Sequence, residues 1–241
     1  MDNQHTTAPR IILPDAPRVI LFDFDGTLVN TTPLILRSFR ATWQKVFGFE
    51  MEDACYINTF GTLLHTALKG LTEQCIADGR VCEIDDLHSK ADELLRTYRE
   101  FNWAWHDELI EPFAAVTETL DELKLRGHRL GIVSSKLRFG VERGLKVFEM
   151  AGYFDVLVTA DDVANHKPHP EPLFKALEHF DAAPREALYV GDSIHDIAAG
   201  RAAGIATVAA AWGPFPRTEL EELKPDYLLD EPSQLLKIFK S

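Results

Sequence analysis

The sequence predicts an α/β fold, an open parallel β-sheet covered by helices and interrupted by an all-helical segment after the first strand. Short apolar runs that are typical of buried parallel strands recur along the chain, and helical patterns separate the later ones. Between Pro33 and about Glu111 this alternation stops, and only helical patterns occur. The 241 residues, 46% of them hydrophobic, are enough for one sheet core with a smaller insert.

The predicted elements follow one another at the spacing of strand–helix units. Five strands are expected at Val19–Phe24, Leu130–Val133, Val156–Thr159, Ala187–Val190 and Ile205–Ala209. The helices between the later strands have apolar residues at helical spacing and are bounded by glycine or proline. They are expected at Glu111–Leu125, Leu137–Met150, Glu171–Phe180 and Ile194–Ala203, with a last short strand and a closing helix within Asp226–Phe239.

Two amphipathic patterns with the 3.6-residue period of an α-helix lie in the inserted segment. One runs from Phe60 to Cys75 and the other from Leu87 to Trp105, and we interpret both as core-facing helix stripes. We therefore expect a helical cap domain at residues 33–110 beside a core domain built from residues 18–32 and 111–241. Residues 1–17 are polar and contain three prolines, which predicts a flexible leader.

The charge balance restricts the possible partners. A net charge of −13 argues against nucleic acid and against an anionic membrane as partners. A small anionic substrate stays compatible, because a bound divalent cation reverses the local field. Three cysteines without CxxC spacing indicate reduced thiols in a cytoplasmic protein. The longest apolar run near the N-terminus, Ile11-Ile12-Leu13, is too short for a signal peptide or a membrane span.

Polar side chains gather at the ends of the predicted strands. Ligands of open parallel sheets bind outside the carboxyl ends of the strands, so residues that follow different strands meet at one rim. Carboxylates crowded there repel one another, and a hard cation such as Mg²⁺ relieves the repulsion. Mg²⁺ in turn indicates phosphate, because a transferring phosphoryl group needs its oxygens neutralised. Four segments supply the rim: Asp23-Phe24-Asp25-Gly26-Thr27, Ser134-Ser135-Lys136, the loop with Lys167, and Gly191-Asp192-Ser193-Ile194-His195-Asp196.

The first of these segments suits phosphoryl transfer through a covalent intermediate. An aspartate such as Asp23 can attack phosphorus and form an aspartyl-phosphate. A second carboxyl two residues along, Asp25, can protonate the leaving oxygen and later accept a proton from water. Gly26 lets the chain turn without blocking the phosphate. An acidic turn is the simpler alternative, whereas a calcium loop fails because glycine is fourth rather than sixth and the twelfth residue is Leu34.

The four segments resemble the motifs of the haloacid dehalogenase superfamily of phosphohydrolases, and the resemblance covers nearly the whole chain. DFDGT is similar to the first motif, IVSS to the second, KPHPEP to the third and GDSIHD to the fourth. This resemblance implies the Rossmann-like core of the superfamily with a helical cap of the C1 type, inserted just after the first motif. It also implies Mg²⁺ as cofactor and a small phosphate compound as substrate.

The resemblance assigns a role to each rim residue. Asp23 would be the nucleophile and Asp25 the general acid and base. The transferring phosphoryl would be bound by Gly26, Thr27, Ser134 and Ser135, with Lys167 neutralising it as a further catalytic residue. Mg²⁺ would lie on Asp23, on the backbone carbonyl of Asp25 and on Asp192, with Asp196 in or just outside the metal shell.

Three stretches are similar to a narrower group, the phosphoglycolate phosphatase-like enzymes, and within it to inorganic pyrophosphatases of the PpaX type. They are GTLVNTTP, YREFNWAWHDELI with GIVSSKLR, and FDVLVTADDVANHKPHPEP. Asn30-Thr31 and Ser134-Ser135 stand where phosphoglycolate phosphatases often have Asp-Ser and Thr-Asn, which favours pyrophosphate hydrolysis. The alternatives are hydrolysis of phosphoglycolate or another small phosphomonoester, a sugar-phosphate mutase, a dehalogenase, and a non-enzymatic phosphate sensor.

Residues outside the motifs are given a structural interpretation. We interpret Lys136 as a solvated charge, because a lysine in such a loop more often faces water. In the insert, His65, Trp103, Trp105 and His106 are expected to pack rather than to bind substrate individually, although the insert is where we expect specificity to be determined.

Overall fold

The computed structural model describes residues 18–239 and contains a six-stranded, fully parallel sheet. Its strand order is β5-β4-β1-β6-β7-β8, which places β1, β4 and β6 side by side in the middle. The eight strands are β1 Val19–Phe22, β2 Val29–Asn30, β3 Glu111–Pro112, β4 Arg129–Val133, β5 Val156–Val158, β6 Ala187–Gly191, β7 Ala206–Ala210 and β8 Tyr227–Leu229. The predicted α/β fold class is confirmed, and the predicted leader lies outside the described residues.

Helices cover the sheet and form the segment that interrupts it. All of them end within a few residues of glycine, proline or a left-handed residue, or pass into a short turn. They are α1 Thr32–Phe47, α2 Asp53–Ile57, α3 Leu64–Ala77, α4 Leu87–Trp105, α5 Val116–Leu125, α6 Arg138–Val147, α7 Glu171–Phe180, α8 Ile194–Ala203 and α9 Arg217–Glu222.

Three element predictions were wrong in detail. The helix expected from Glu111 begins only at Val116, because Glu111–Pro112 pairs antiparallel with Val29–Asn30. A residue before proline favours extended backbone, which accounts for that strand. The closing helix is a 3₁₀ turn at Pro232–Lys237, and helix α9 was not predicted.

The alternation of side chains along the strands divides the core into two layers. Ile20 and Phe22 of β1 face a cluster shared with α5 and α6. Val19 and Leu21 face the other layer, where they pack with residues of α7 such as Leu177. Because the strands are buried on both faces, the strand ends are where polar groups of the sheet can meet solvent or a ligand.

Helices α1 to α4 form a helical insert, residues 32–105, with its own apolar cluster. Phe39 of α1 stacks on Tyr56 of α2 with ring centroids 5.0 Å apart, and Leu68 of α3 and Leu94 of α4 are buried beside them. Both periodic patterns of the sequence therefore form core-facing helices, as predicted, although the first helix begins at Leu64 and not at Phe60. The three cysteines lie in this insert and are free. The division into a core domain and a cap domain with boundaries at residues 33 and 110 stays a prediction.

The two connections between sheet and insert lie side by side. Val29–Asn30 leads into the insert, Glu111–Pro112 leads out of it, and the two form a short antiparallel ribbon. The ribbon is held to the first strand's turn, because the Gly26 N–H donates to the Val29 carbonyl at 2.9 Å. Among residues 18–239, none of the helices has the length and apolar character needed to span a bilayer.

Candidate active site

The carboxyl ends of the central strands bring the predicted rim residues together. Asp23 follows β1, Asp192 follows β6, and Asp196 lies in the first turn of α8. Ligand atoms of these three carboxylates all lie within 4.8 Å of one another. The ammonium of Lys167 lies 3.1 Å from Asp23 Oδ1 and 2.6 Å from Asp196 Oδ1. Strand topology thus gathers residues from three distant parts of the chain into one buried group.

The two aspartates of the first motif have different partners. Asp23 is buried, and its Oδ1 accepts a hydrogen bond from the Phe24 N–H at 2.7 Å. The Asp25 side chain is 25% exposed, and its Oδ1 accepts from Lys136 Nζ at 2.7 Å. The two carboxylates therefore lie beside different ammonium groups, Asp25 beside Lys136 and Asp23 beside Lys167, which it shares with Asp196, and this offsets their mutual repulsion.

The interpretation of Lys136 as a solvated charge was wrong. Its side chain is only 15% exposed and is committed to the ion pair with Asp25. Ser134 and Ser135, which precede Lys136, also form specific contacts. The Ser134 hydroxyl accepts a hydrogen bond from the Lys136 N–H at 3.3 Å. The Ser135 hydroxyl donates to the Gly61 carbonyl at 2.9 Å and so ties the strand end to the helical insert.

Asp196 has no oxygen free of protein donors. Its Oδ1 accepts from Lys167 and from the Tyr189 hydroxyl, and its Oδ2 accepts from the backbone and side chain of Ser193. Ser193 and Asp196 form the capping box that begins α8, which fixes the carboxylate in place. The geometry makes Asp196 the residue that holds Lys167, although it lies close enough to Asp23 and Asp192 to belong to the same acidic group.

Gly26 is required where the chain passes Asp192. Gly26 has φ +78°, and a Cβ at that position would lie 2.4 Å from Asp192 Oδ2, so no larger residue fits. The Thr27 hydroxyl donates to Asp192 Oδ1 at 3.0 Å. In turn, Trp212 Nε1 donates to the Thr27 carbonyl at 2.9 Å. Glycine and threonine of the DFDGT motif therefore shape and orient Asp192.

The charges of this buried group do not balance among the described residues. Three carboxylates face one buried ammonium, Lys167. Burial raises the pKa of Asp23 to about 7, and burial together with the charge of Asp196 raises the pKa of Asp192. Burial alone would also raise the pKa of Asp196, but Lys167 and the hydrogen bonds of the capping box lower it. A divalent cation would neutralise the excess, and an all-oxygen donor set fits Mg²⁺.

This imbalance predicts a stability that depends on pH when divalent metal is removed. Between its ordinary pKa of 3.8 and its raised pKa of about 7, Asp23 keeps a proton in the folded protein that it has lost in the unfolded chain. Stability should therefore fall as pH rises through that range. In EDTA, between pH 4.5 and pH 8, we expect the melting temperature of the native protein to fall by several degrees relative to that of Asp23→Asn. Each kcal/mol of unfolding free energy corresponds to about 2–4 °C in a protein of this size.

The comparison with Asp23→Asn is needed because two histidines oppose the expected fall in stability with rising pH. Burial lowers the pKa of His106 and His195, so their contribution to stability increases with pH, and it cancels between the two proteins. Adding Mg²⁺ at pH 8 should raise the melting temperature of the native protein more than that of the variant. A difference between the two proteins that is constant with pH contradicts the charge imbalance.

A cavity of about 300 Å³ lies between the strand ends and the helical insert. Its floor includes Asp23, Asp25 and Ser134. Its other walls carry polar residues of the insert (His65, Arg99 and Asn102), of the turn that follows the insert (His106) and of α6 (Arg143). Trp103 lines the cavity too, whereas Trp105 stacks on Phe101, as the packing interpretation expects.

Sequence reasoning missed two residues that support the site. Tyr189 stands in the buried strand β6, and its hydroxyl reaches Asp196 at 2.7 Å and Val133 O at 3.1 Å. Trp212 lies beyond β7 and orients Thr27. The signal for Tyr189 was a phenol in an otherwise apolar strand, since a buried hydroxyl needs a partner. Nothing in the sequence around Trp212 indicated its role.

Comparison with known proteins adds independent information. The model of the family described as haloacid dehalogenase-like hydrolase matches residues 20–210. The chain is 45% identical to the pyrophosphatase PpaX of Bacillus mycoides (strain KBAB4), over 91% of this chain and 95% of the relative. It is 44% identical to the PpaX of Bacillus thuringiensis (strain Al Hakam), over 91% and 94%. The solved structure of a predicted phosphoglycolate phosphatase from Haemophilus somnus 129pt aligns with TM-score 0.81 and 25% identity, over 94% of this chain and 99% of that chain.

Proposed function

The chain belongs to the haloacid dehalogenase-like hydrolase family, and on that premise we propose that it is an Mg²⁺-dependent phosphohydrolase that splits inorganic pyrophosphate through an aspartyl-phosphate. One observation carries the chemistry: a buried group in which the Asp23 carboxylate lies beside Lys167, Asp192 and Asp196. The substrate follows from the likeness to PpaX pyrophosphatases, which extends over the core and the insert alike.

Asp23 is the nucleophile of the proposed reaction. One of its carboxylate oxygens attacks phosphorus, and the bond from phosphorus to the bridging oxygen of pyrophosphate breaks. The departing phosphate takes its proton from Asp25. Water then attacks the phosphoryl group on Asp23, Asp25 accepts the proton of that water, and the Asp23 carboxylate is released with a second phosphate.

Lys167 stabilises the negative charge that develops on the transferring phosphoryl group. Burial alone would lower the pKa of its ammonium, but the charges of Asp196 and Asp23 raise it, so the group stays cationic. Asp196 holds this ammonium in place by accepting its hydrogen bond at 2.6 Å. Ser134 and the chain turn at Gly26 and Thr27 would bind the remaining phosphoryl oxygens.

The residues present fit a magnesium ion. Asp23, Asp192 and the backbone carbonyl of Asp25 would hold it, with Asp196 just outside its ligands. When bound, Mg²⁺ neutralises the excess negative charge of the site and of the phosphoryl oxygens. The Thr27 hydroxyl contributes by orienting the Asp192 carboxylate toward that position.

Lys136 positions the acid and base. Its ion pair holds the Asp25 side chain at the cavity wall, next to Asp23 in the same turn. Because a leaving phosphate carries negative charge, the same ammonium would also attract it. Arg99 adds positive charge elsewhere on the cavity wall, which suits the second phosphoryl of pyrophosphate, whereas Arg143 is already paired with Asp107 at 2.9 Å.

Phosphoglycolate or another small phosphomonoester is the second candidate substrate. The cavity of about 300 Å³ has room for an organic leaving group, and the aligned structure from Haemophilus somnus is described as a predicted phosphoglycolate phosphatase. Both candidates use the same nucleophile and the same acid, so only measurement of substrate preference separates them.

A substrate panel tests the proposal. Purified protein is given pyrophosphate, phosphoglycolate and several sugar phosphates, with Mg²⁺ or with EDTA, and phosphate release is followed. We expect kcat/KM for pyrophosphate to exceed that for each monoester by at least about tenfold, and EDTA to remove the activity. A preference for phosphoglycolate overturns the substrate assignment. Binding of phosphate compounds without turnover indicates the sensor instead, and interconversion of sugar phosphates indicates a mutase.

A further inference from the structure

A second group of metal-ligating side chains lies on the helical insert, apart from the acidic group at the strand ends. It consists of His65 in the first turn of α3 and of His88 and Asp92 on α4. His88 and Asp92 are four residues apart, which places them on the same face of their helix. One ligand atom of each of the three residues lies within 4.8 Å of those of the other two.

The separations between ligand atoms in this cluster approach those found around a tetrahedral metal ion. His65 Nε2 lies 3.2 Å from Asp92 Oδ1, and His88 Nε2 lies 4.0 Å from Asp92 Oδ2. Ligands at the usual zinc distances are separated by about 3.3 Å along a tetrahedral edge. The first pair already meets this value, and the His88 side chain, 77% exposed, is free of close packing that would prevent the small remaining movement.

The surroundings of His65 Nε2 favour a metal ligand over a simple ion pair. His65 Nε2 is buried and makes no hydrogen bond, although the Asp92 carboxylate is near enough for electrostatic attraction. The two imidazole rings also lie against each other, with centroids 4.8 Å apart. A cation between the rings and the carboxylate would satisfy all three groups at once.

We propose that His65, His88 and Asp92 form a second metal site, for a zinc-class transition ion and not for magnesium. Two imidazoles and one carboxylate suit Zn²⁺ and its neighbours, whereas Mg²⁺ prefers oxygen ligands. Three protein ligands leave a fourth position for water or an anion. Because His65 lines the cavity, a bound ion joins α3 to α4 in the wall that faces the substrate.

The test measures zinc binding in the presence of excess Mg²⁺, which occupies the oxygen site at the strand ends. Zinc is titrated against a chromophoric chelator, and Co²⁺ is used as a spectroscopic probe of the ligand geometry. We expect one zinc equivalent in the native protein and a visible Co²⁺ spectrum of the four-coordinate type. His88→Gln should weaken zinc binding by at least about 100-fold, since loss of even an outer-sphere partner costs 10–100-fold.

The matched control is His179→Gln, an exposed histidine on α7 of the core. It should retain the zinc equivalent and the Co²⁺ spectrum. His65→Gln is the second variant, and circular dichroism confirms that each protein is folded. Absence of stoichiometric zinc binding in the native protein overturns the proposal, as does binding that both His65→Gln and His88→Gln leave unchanged. Zinc binding is measured without substrate, so neither result decides whether Asp23 is the nucleophile of the proposed hydrolysis.

Discussion

Asp23→Asn is expected to abolish turnover, lowering kcat by at least about 10⁴-fold, because an amide cannot act as the attacking oxygen nucleophile. Asparagine has almost the same shape as aspartate, so the buried position after β1 should stay filled. The folded structure should be at least as stable above neutral pH, since the variant removes one of three crowded carboxylates from the site.

Steady-state phosphate release with the favoured substrate measures the effect, and thermal unfolding measures stability. Asp181→Asn is the control, because Asp181 is an exposed residue in the left-handed conformation that asparagine also adopts readily. Rapid acid quenching followed by mass spectrometry should find a phosphoryl group on Asp23 in the native protein. Residual activity above about 1% in a preparation free of native enzyme rules out covalent catalysis by this residue.

Lys167→Met should have the next largest effect, because it acts on both activity and stability. Methionine keeps the length of the side chain but removes the ammonium between Asp23 and Asp196. Removing one partner of a buried ion pair costs about 3–5 kcal/mol of unfolding free energy. Loss of the cation proposed to neutralise the phosphoryl oxygens should lower kcat by about 10²–10³-fold.

Urea unfolding and phosphate release are measured on the same samples, with Lys146→Met as the control at an exposed position of α6. The expected stability loss is larger in EDTA than in Mg²⁺, because a cation at the site partly replaces the missing charge. An Lys167→Met protein with native stability and native turnover contradicts the ion-pair assignment. A protein that is destabilised but fully active contradicts only the role of Lys167 in the reaction.

The sheet and the acidic rim were predictable from sequence because each depends on local signals. Apolar runs mark β1, β4 and β6, and the residues after them carry carboxylates and hydroxyls in three separate segments. Since the ends of adjacent parallel strands meet, the sequence was enough to place Asp23 and Asp192 together. The same reasoning located the helices of the insert through their 3.6-residue periodicity.

The partners of those residues were not predictable, because they depend on contacts between distant segments. Lys136 has the sequence context of a surface lysine, and only the approach of β4 to β1 brings it to Asp25. Tyr189 reaches Asp196 across a helix–strand junction, and Trp212 reaches Thr27 from 185 residues away. The strand at Glu111 was missed for the same reason, since its partner strand, Val29–Asn30, lies before the insert.

Val29–Asn30 and Glu111–Pro112 form one ribbon, so the two connections between the insert and the sheet are not independent of each other. The two segments are hydrogen-bonded to each other. The Val29 carbonyl also accepts from the Gly26 N–H, one residue from Asp25, the proposed proton donor. A rotation of the insert about these connections would therefore act on one hydrogen-bonded ribbon that adjoins Asp25. On the proposed mechanism, a movement that admits substrate would then also act on the backbone next to the proton donor.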